Sequence, residues 1–230
     1  MQTPCSTNNY IPPGIFPQWH TASGGCYIKT VITGIDKAWA LITEKGPEGI
    51  IRDACVGYDA REDCYRMLSL GMLFMLCPGR RSIRGMSEEA HDFYNEQSLY
   101  FEHSVLWYLA ESMGAGRTGR LIKPSTLRGD HHFFTRGTHK LPLDELAAVY
   151  GADPGAFLAR GRKLGGTESD IGEVAVELLP MPMVPVVITL WLADDEFPPR
   201  CDLFFDSSAE YHAPLDALWA TAMLAVKAMM

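Results

Sequence analysis

The sequence predicts an α+β protein in which helices pack on a small antiparallel sheet, with an N-terminal helix and hairpin. Apolar residues recur at helical spacing in Glu96–Met113. Residues alternate in the pattern of a half-buried strand over Glu173–Leu179, and the almost wholly apolar, β-branched run Val186–Leu192 is typical of a strand buried on both faces. The helical and strand patterns occupy different parts of the chain, as is usual in this class.

The composition allows a folded core and excludes several classes of partner. The chain has 230 residues, of which 47% are hydrophobic and 21% charged. Its formal net charge of -8 disfavours nucleic acid and anionic membranes, because these partners require a cationic face. No segment reaches the ~20 apolar residues of a membrane span, and the first residues carry no secretory signal. We therefore expect a cytoplasmic protein whose six cysteines are reduced thiols.

The first part of the chain is expected to be an irregular arm over residues 1–34. It is rich in proline and aromatic residues, and no charge precedes Lys29, so it is expected to pack on its own domain or on a partner. Residues 35–230 are predicted to form a single α+β domain, with a sub-boundary near 114–140 as the alternative.

The remaining elements follow from local patterns. A helix is predicted from Ile35, and a strand beginning at Cys64, a Pro78-Gly79 turn and a return through Ile83 predict the hairpin. The second half is predicted to contain two helices, a three-stranded meander and an apolar closing helix that must be covered by the sheet or by another subunit. Their predicted ranges are Pro142–Gly151, Asp153–Gly166, Glu173–Leu179, Val186–Leu192, Cys201–Asp206 and Pro214–Met230.

Several pieces of this second half together resemble a known family. They are Leu164-Gly165-Gly166, the proline-punctuated approach to the apolar strand, the turn Asp195–Pro198 and Leu203–Asp206. The sequence from about Asp36 to the end resembles the domain-of-unknown-function family 3786. The resemblance implies relatives in anaerobes, some of which carry an upstream cysteine-rich module that this chain lacks, and company with redox or corrinoid proteins. It implies no reaction and no catalytic residue.

The most cationic stretch is Arg128–Lys140, with sequence RGDHHFFTRGTHK. Arginine forks bind anions, and histidines bind metals or titrate near neutrality. This predicts an anionic-ligand or metal site, against the alternative of a solvated connection with Phe133 or Phe134 in the core. The candidate ligand-binding residues are Arg128, His131, His132, Arg136 and His139.

Three carboxylates, Asp194, Asp195 and Glu196, follow directly after the apolar strand. Crowded carboxylates can bind hard cations or supply an acid, whereas a solvated turn is the structural alternative. Three consecutive residues cannot all converge on one ion, because alternate side chains of an extended segment point apart.

Other motifs favour structural roles. The letters of GxGxxG occur at Gly114–Gly119, but they follow a helix instead of the strand that a dinucleotide fold requires. His103 lies on an apolar helical stripe and is predicted to be a core residue. Cys5, His20 and Cys26 are too irregularly spaced for a structural zinc site.

Two functions follow from these patterns. The first is a non-catalytic binding or accessory protein that holds an anionic or redox cofactor, or docks on a protein partner or a second copy through its arm and C-terminal helix. The alternative is a metal-assisted hydrolase or lyase that combines the loop 194–196 with His131 or His132. The sequence identifies no cofactor, although a metal ion or an anionic cofactor would suit the two candidate sites.

Overall fold

The computed structural model describes residues 27–129, 134 and 139–230, without the side chains of residues 27–33. These ranges form five α-helices and two antiparallel sheets, which confirms the predicted α+β class. The helices are α1 (Tyr27–Ala54), α2 (Glu88–Glu111), α3 (Leu143–Tyr150), α4 (Pro154–Lys163) and α5 (Leu215–Met229). The strands are β1 (Gly57–Asp59), β2 (Cys64–Ser69), β3 (Met72–Cys77), β4 (Ser82–Gly85), β5 (Leu121–Ile122), β6 (Thr167–Glu168), β7 (Val174–Met181), β8 (Val184–Trp191) and β9 (Arg200–Asp206).

The first two helices begin earlier than predicted. Helix α1 starts at Tyr27, so residues 27–34, assigned to the irregular arm, are helical, and residues 1–26 lie outside the described residues. Gly46, with φ 69°, interrupts this helix just before Pro47. Helix α2 starts at Glu88, where the side chain of Ser87 accepts a hydrogen bond from the backbone N–H of Ala90.

The N-terminal sheet has the order β1-β2-β3-β4 among the described residues. The predicted turn at Pro78-Gly79 and the return through Ile83 are confirmed, since they connect β3 to β4. The predicted single strand from Cys64 was wrong, because a second turn at Leu70-Gly71 divides it into β2 and β3. Apolar side chains occur on both faces of β2 and β3, which hid the two-residue period. The inner face packs on α2, where the rings of Phe74 and Phe101 have centroids 4.3 Å apart.

The C-terminal sheet has the order β5-β9-β8-β7-β6 in the described part of the chain. The predicted meander forms its centre, and two edge strands of two residues each extend it. The prolines before the apolar strand indicate an extended connection, but Pro180 and Pro185 lie inside β7 and β8, so that interpretation was wrong. A register shift between Leu178 and Met181 accommodates the prolines beside a tight turn.

The closing helix α5 is buried by its own chain. Twelve of its 15 residues are buried. Side chains of α3 and α4 also donate hydrogen bonds to its last turn. The Tyr150 hydroxyl donates to the Met229 carbonyl at 2.7 Å, and Arg160 Nε donates to the Ala228 carbonyl at 2.8 Å. The apolar surface that suggested docking through the C-terminal helix is therefore covered within one copy, and that part of the partner prediction loses its basis.

The two sheets meet at a contact between glycines. An added Cβ on Gly165 would lie 2.9 Å from the Cα of Gly71, and both glycines have positive φ, 71° and 75°. Next to them, the N–H of Leu70 donates to the carbonyl of Leu179 at 2.8 Å. A single cluster of buried apolar residues runs through both sheets and all five described helices. Across the described ranges, no helix combines the length and apolarity needed to cross a bilayer.

Candidate functional site

The start of the predicted Arg/His segment is held beside α5. Arg128 Nε lies 3.6 Å from Glu210 Oε2, and the backbone N–H of Arg128 donates to the other carboxylate oxygen. A Cβ on Gly129 would lie 4.0 Å from the side chain of Leu215, the first residue of α5. Arg128 is thus paired with a carboxylate, which weakens its attraction for an anionic ligand. His131, His132 and Arg136 lie outside the described residues.

The end of the same segment is fixed on α5 through His139. Trp219 Nε1 donates to the backbone carbonyl of His139 at 2.7 Å, and the two rings have centroids 4.9 Å apart. Burial lowers the pKa of the His139 imidazole below its ordinary value. Arg128 and His139, which lie near the two ends of the predicted Arg/His segment, are therefore both close to α5.

His103 is buried where α2 meets α5, which confirms its prediction as a core residue. Its Nε2 atom lies 3.1 Å from Asp216 Oδ2, although the ring N–H lacks the alignment of a hydrogen bond. Burial raises the pKa of the Asp216 carboxyl, but the adjacent His103 ring together with the backbone N–H groups of Ala217 and of Asp216 itself holds this pKa below its ordinary value. The pair brings α2 and the first turn of α5 together at a position where the Asp216 side chain is half-exposed.

The acidic loop is an exposed turn between β8 and β9. Asp194 Oδ1 accepts the backbone N–H groups of Glu196 and Phe197 at 2.8 and 2.7 Å. These two hydrogen bonds lower the pKa of Asp194. Its carboxylate therefore closes its own turn. Within the described residues, no three His, Cys, Asp or Glu side chains are placed to share a metal ion.

Asp206 is a buried carboxylate that sequence reasoning did not identify. It accepts backbone N–H groups from Thr118, Gly119 and Ser208, and the hydroxyls of Thr118 and Ser208 also donate to it. Burial would raise the pKa of Asp206, but these bonds outweigh it and lower the pKa. The loop with the GxGxxG letters is thus organised around a carboxylate of the protein itself, which agrees with a structural role.

His212 is a second buried polar residue that the sequence did not reveal. Its Nδ1 atom is 2.7 Å from the Ser112 hydroxyl, and its Nε2 atom is 2.9 Å from the Ala115 carbonyl. Burial lowers the pKa of His212 to about 4, although the Ala115 carbonyl favours the charged ring. The hydroxyl of Ser112 also donates to the carbonyl of Asp53 at 2.6 Å. This arrangement fastens the ends of α1 and α2 to the turn before α5.

The N-terminal sheet has a second face, opposite the helices, that combines apolar, sulfur-containing and cationic side chains. Leu68 and Leu73 are paired in register on this face and are 60% and 38% exposed. Met75 lies beside them, and Arg84 Nη2 is 3.4 Å from its sulfur. The side chains that point outward from β2, β3 and β4, called the outer face below, are Cys64, Arg66, Leu68, Leu73, Met75, Cys77, Ser82 and Arg84.

Two cysteines of the outer face form a disulfide, so the prediction that all cysteines are reduced thiols was wrong. Cys64 and Cys77 end adjacent antiparallel strands and are bonded to each other. The guanidinium of Arg80 lies 3.3 Å from both sulfur atoms through the same nitrogen, Nη2. The pairing was missed because the turn at Leu70-Gly71 was missed, and with it the register that places the two cysteines opposite each other.

A pocket of about 400 Å³ lies between α1, α2 and β4. Its walls include Trp39 and Tyr94, and Asp36 within it pairs with Arg81 at 2.9 Å. The Tyr94 hydroxyl donates to Glu102, and burial together with this carboxylate raises the pKa of the phenol. The charged groups of this pocket are thus already satisfied by each other.

A family model described as a domain of unknown function (DUF3786) matches residues 47–228. This match confirms the resemblance seen in the sequence, with a start at 47 in place of about 36. No curated protein and no solved structure matches the chain. The comparisons therefore show the family to which the chain is related and indicate no reaction for it.

Proposed function

Because the chain belongs to this family of unknown function, its role must be argued from its own surface, and we propose that it is a non-catalytic binding protein that docks on a partner protein through the outer face. The observation that carries the proposal is the exposed pair Leu68 and Leu73 on a sheet face whose other apolar member, Met75, is bordered by arginines. The proposed partner surface is apolar where it covers Leu68 and Leu73 and acidic where it meets the arginines.

The residue types on this face are those of an interface. A sheet face that remains in water normally carries polar side chains at alternate positions. Here the outward positions of β2 and β3 are mainly Leu, Met and Cys. Met75 and the two cysteines are already buried within the chain, whereas Leu68 and Leu73 remain exposed. Arginine and methionine are enriched at protein interfaces, where their flexible or planar side chains pack on a partner. The pattern therefore favours a surface that becomes covered.

The charges of the face suit an acidic partner. Arg66 pairs with Asp59, and Arg80 pairs with Glu62 at 3.3 Å, while both arginine side chains remain more than half exposed. Exposed ion pairs of this kind contribute little to stability. Carboxylates of a partner can therefore replace Asp59 and Glu62 with little loss of stability. The new ion pairs with the arginines are shielded from water by the partner and are therefore stronger.

The test compares Leu68→Glu with Val149→Glu, because the two native side chains are exposed to a similar degree. Leu68→Glu places a charge on the exposed leucine pair at the turn end of the outer face, and Val149→Glu places the same charge on α3, at a side chain that is 56% exposed. The protein is cross-linked in extracts of its native cells, and the linked peptides are identified by mass spectrometry. We expect cross-links to β2–β4 that Leu68→Glu abolishes and Val149→Glu retains.

Purified partner is then titrated against the native chain and both variants. An affinity loss of about tenfold or more is expected for Leu68→Glu alone, since a buried charge without a partner is strongly unfavourable. A second copy of the chain as the linked partner would support docking and identify it as self-association. Equal binding by the two variants, or cross-links confined to other surfaces, would contradict the proposal.

The alternative of a metal-assisted enzyme stays a hypothesis. Asp194 closes its own turn, and the described residues bring no histidine into a metal-binding group with the acidic loop. His131 and His132, on which that hypothesis depends, lie outside the described residues. No described contact favours it over docking.

A further inference from the structure

The disulfide lies in a row of four residues that crosses the N-terminal sheet. Asp59 is opposite Cys64, Cys64 is opposite Cys77, and Cys77 is opposite Ser82. Arg80, which follows β3, places one nitrogen 3.3 Å from each sulfur atom. A permanent cation in contact with both sulfurs stabilises a thiolate on either of them once the bond between them opens.

We propose that Cys64 and Cys77 form a thiol–disulfide exchange site, which a thiol reductant opens reversibly while the fold persists. The substrate class is a thiol, either a small molecule or a cysteine of another protein. This proposal does not depend on docking through the outer face, since exchange requires only access to the sulfur atoms.

The geometry favours attack on Cys77. Exchange proceeds along the line of the sulfur–sulfur bond, so the attacking thiolate approaches Cys77 from the side of Ser82 and would approach Cys64 from the side of Asp59. Ser82 is small and exposed. Hydrogen bonds from the backbone N–H groups of Arg61 and Glu62 lower the pKa of Asp59, and its ionised carboxylate pairs with Arg66, so that these two side chains obstruct the approach to Cys64.

The reaction balances in two steps. The thiolate of the reductant bonds to Cys77 Sγ, the bond to Cys64 breaks, and Cys64 leaves as a thiolate beside Arg80. A second thiol then attacks the reductant's sulfur in the mixed disulfide and releases Cys77 as a thiol or thiolate. The protein gains two electrons and two protons, and two thiols of the reductant become one disulfide. After protonation, the Cys64 thiol can donate to the carbonyl of Glu62, which lies 3.1 Å from its sulfur.

Opening the bond leaves the sheet with its other connections. Strands β2 and β3 are paired from Tyr65–Leu76 to Ser69–Met72 without the cysteines, and β4 continues the ladder. The inner face is fully buried at Phe74 and Leu76. Cys64 and Cys77 are themselves buried, at 0% and 2% exposure. Arg80, which covers their sulfurs, is 57% exposed, so it can move aside to admit a reductant and then return to the thiolate.

The experiment equilibrates the full chain with reduced and oxidised glutathione at pH 6 and pH 8, then traps thiols with an alkylating agent for mass analysis. Circular dichroism of the same samples reports the fold. Arg80→Gln is compared with Arg84→Gln, which removes an arginine of the outer face that contacts Met75 and lies opposite it, in the row next to that of the disulfide. Equilibrium is measured because loss of Arg80 also uncovers the sulfurs, which would change rates for a second reason.

We expect the native chain to become reduced with its circular dichroism unchanged. At pH 8, Arg80→Gln is expected to shift the equilibrium toward the disulfide by about three- to tenfold, since one neighbouring cation lowers a thiol pKa by about one unit. At pH 6 the shift is expected to shrink, because fewer thiolates form, and Arg84→Gln is expected to match the native chain at both pH values.

Two results would overturn the proposal. One is a disulfide that stays closed until urea unfolds the chain, which would make it purely structural. The other is an Arg80→Gln equilibrium that equals the native one at pH 8, or that differs by the same factor at pH 6 and pH 8, because a thiolate-stabilising cation must act more strongly at the higher pH.

Discussion

The imidazole Nδ1 of His212 lies 2.7 Å from the hydroxyl oxygen of Ser112, a residue one hundred positions earlier in the chain. Ser112 ends α2, and its hydroxyl donates to the carbonyl of Asp53 near the end of α1. One buried histidine thus joins three distant parts of the chain.

This histidine predicts a loss of stability in mild acid. Burial lowers the pKa of His212 from an ordinary value of 6.5 to about 4 in the folded chain. Between these values the unfolded chain binds a proton that the folded chain does not bind, so stability is complete above pH 6.5 and falls as the pH drops toward 4. The loss is on the order of 3 kcal/mol over this window.

Urea unfolding at half-unit pH steps measures this loss. The slope of the unfolding free energy against pH is proportional to the number of protons that the chain takes up on unfolding. His212→Gln is expected to reduce that number by about one. The slope should persist in raised salt, because its cause is burial and not long-range charge. A native slope that equals that of the variant would refute this assignment.

Asp206→Asn is expected to destabilise the fold by about 2–4 kcal/mol. The carboxylate accepts hydrogen bonds from three backbone N–H groups and two hydroxyls, and an amide would turn a donor toward some of them. Asp195→Asn, an exposed change in the acidic loop, is the control and should stay within about 0.5 kcal/mol of the native chain. Chemical denaturation decides, and equal effects would show that the Asp206 network is dispensable.

Three glycine-to-alanine variants should form a graded series. Gly116→Ala has open space and should change stability by less than about 0.5 kcal/mol. Gly119→Ala also has open space but requires φ +73°, at about 1 kcal/mol. Gly165→Ala combines positive φ with a 2.9 Å approach to Gly71 and should cost about 2–4 kcal/mol. Melting temperatures in any other order would contradict the described contact.

Trp219→Phe should loosen the start of α3. The change removes the N–H that donates to the His139 carbonyl, at about 1 kcal/mol of global stability. Amide exchange of Leu143, whose N–H donates to the Leu141 carbonyl, should accelerate beyond this global effect. Trp191→Phe, which removes an indole bond to Asp202, is the matched control and should leave that amide unaffected.

The C-terminal half was predictable because its signals are local. Alternation and β-branched residues specify β7 to β9, and Asp153 with Pro154 specifies the start of α4, where the Asp153 carboxylate caps the Ala156 N–H. The N-terminal sheet was not predictable in this way. Leu68, Leu73 and Met75 place apolar residues on its outer face, which hides the strand period, so the pattern predicts one strand across the Leu70-Gly71 turn.

The buried polar sites were missed for a different reason. The residues bonded to Asp206 in the GxGxxG loop are nearly ninety positions away, and no local spacing links Ser112 to His212. Their positions depend on tertiary packing, which a single sequence does not display. The exposed acidic loop was located correctly by its place after β8, whereas a role in chemistry stays a prediction.

The contact between Gly71 and Gly165 gives a reason for one piece of the family resemblance. Leu164-Gly165-Gly166 lets the backbone of the turn after α4 touch the turn between β2 and β3. A side chain gained on either partner would have to be matched by a shift of the other. Selection on this short motif would therefore act on both positions of the contact at once. The two glycines would be kept or replaced together, and the contact between the two sheets would be kept with them.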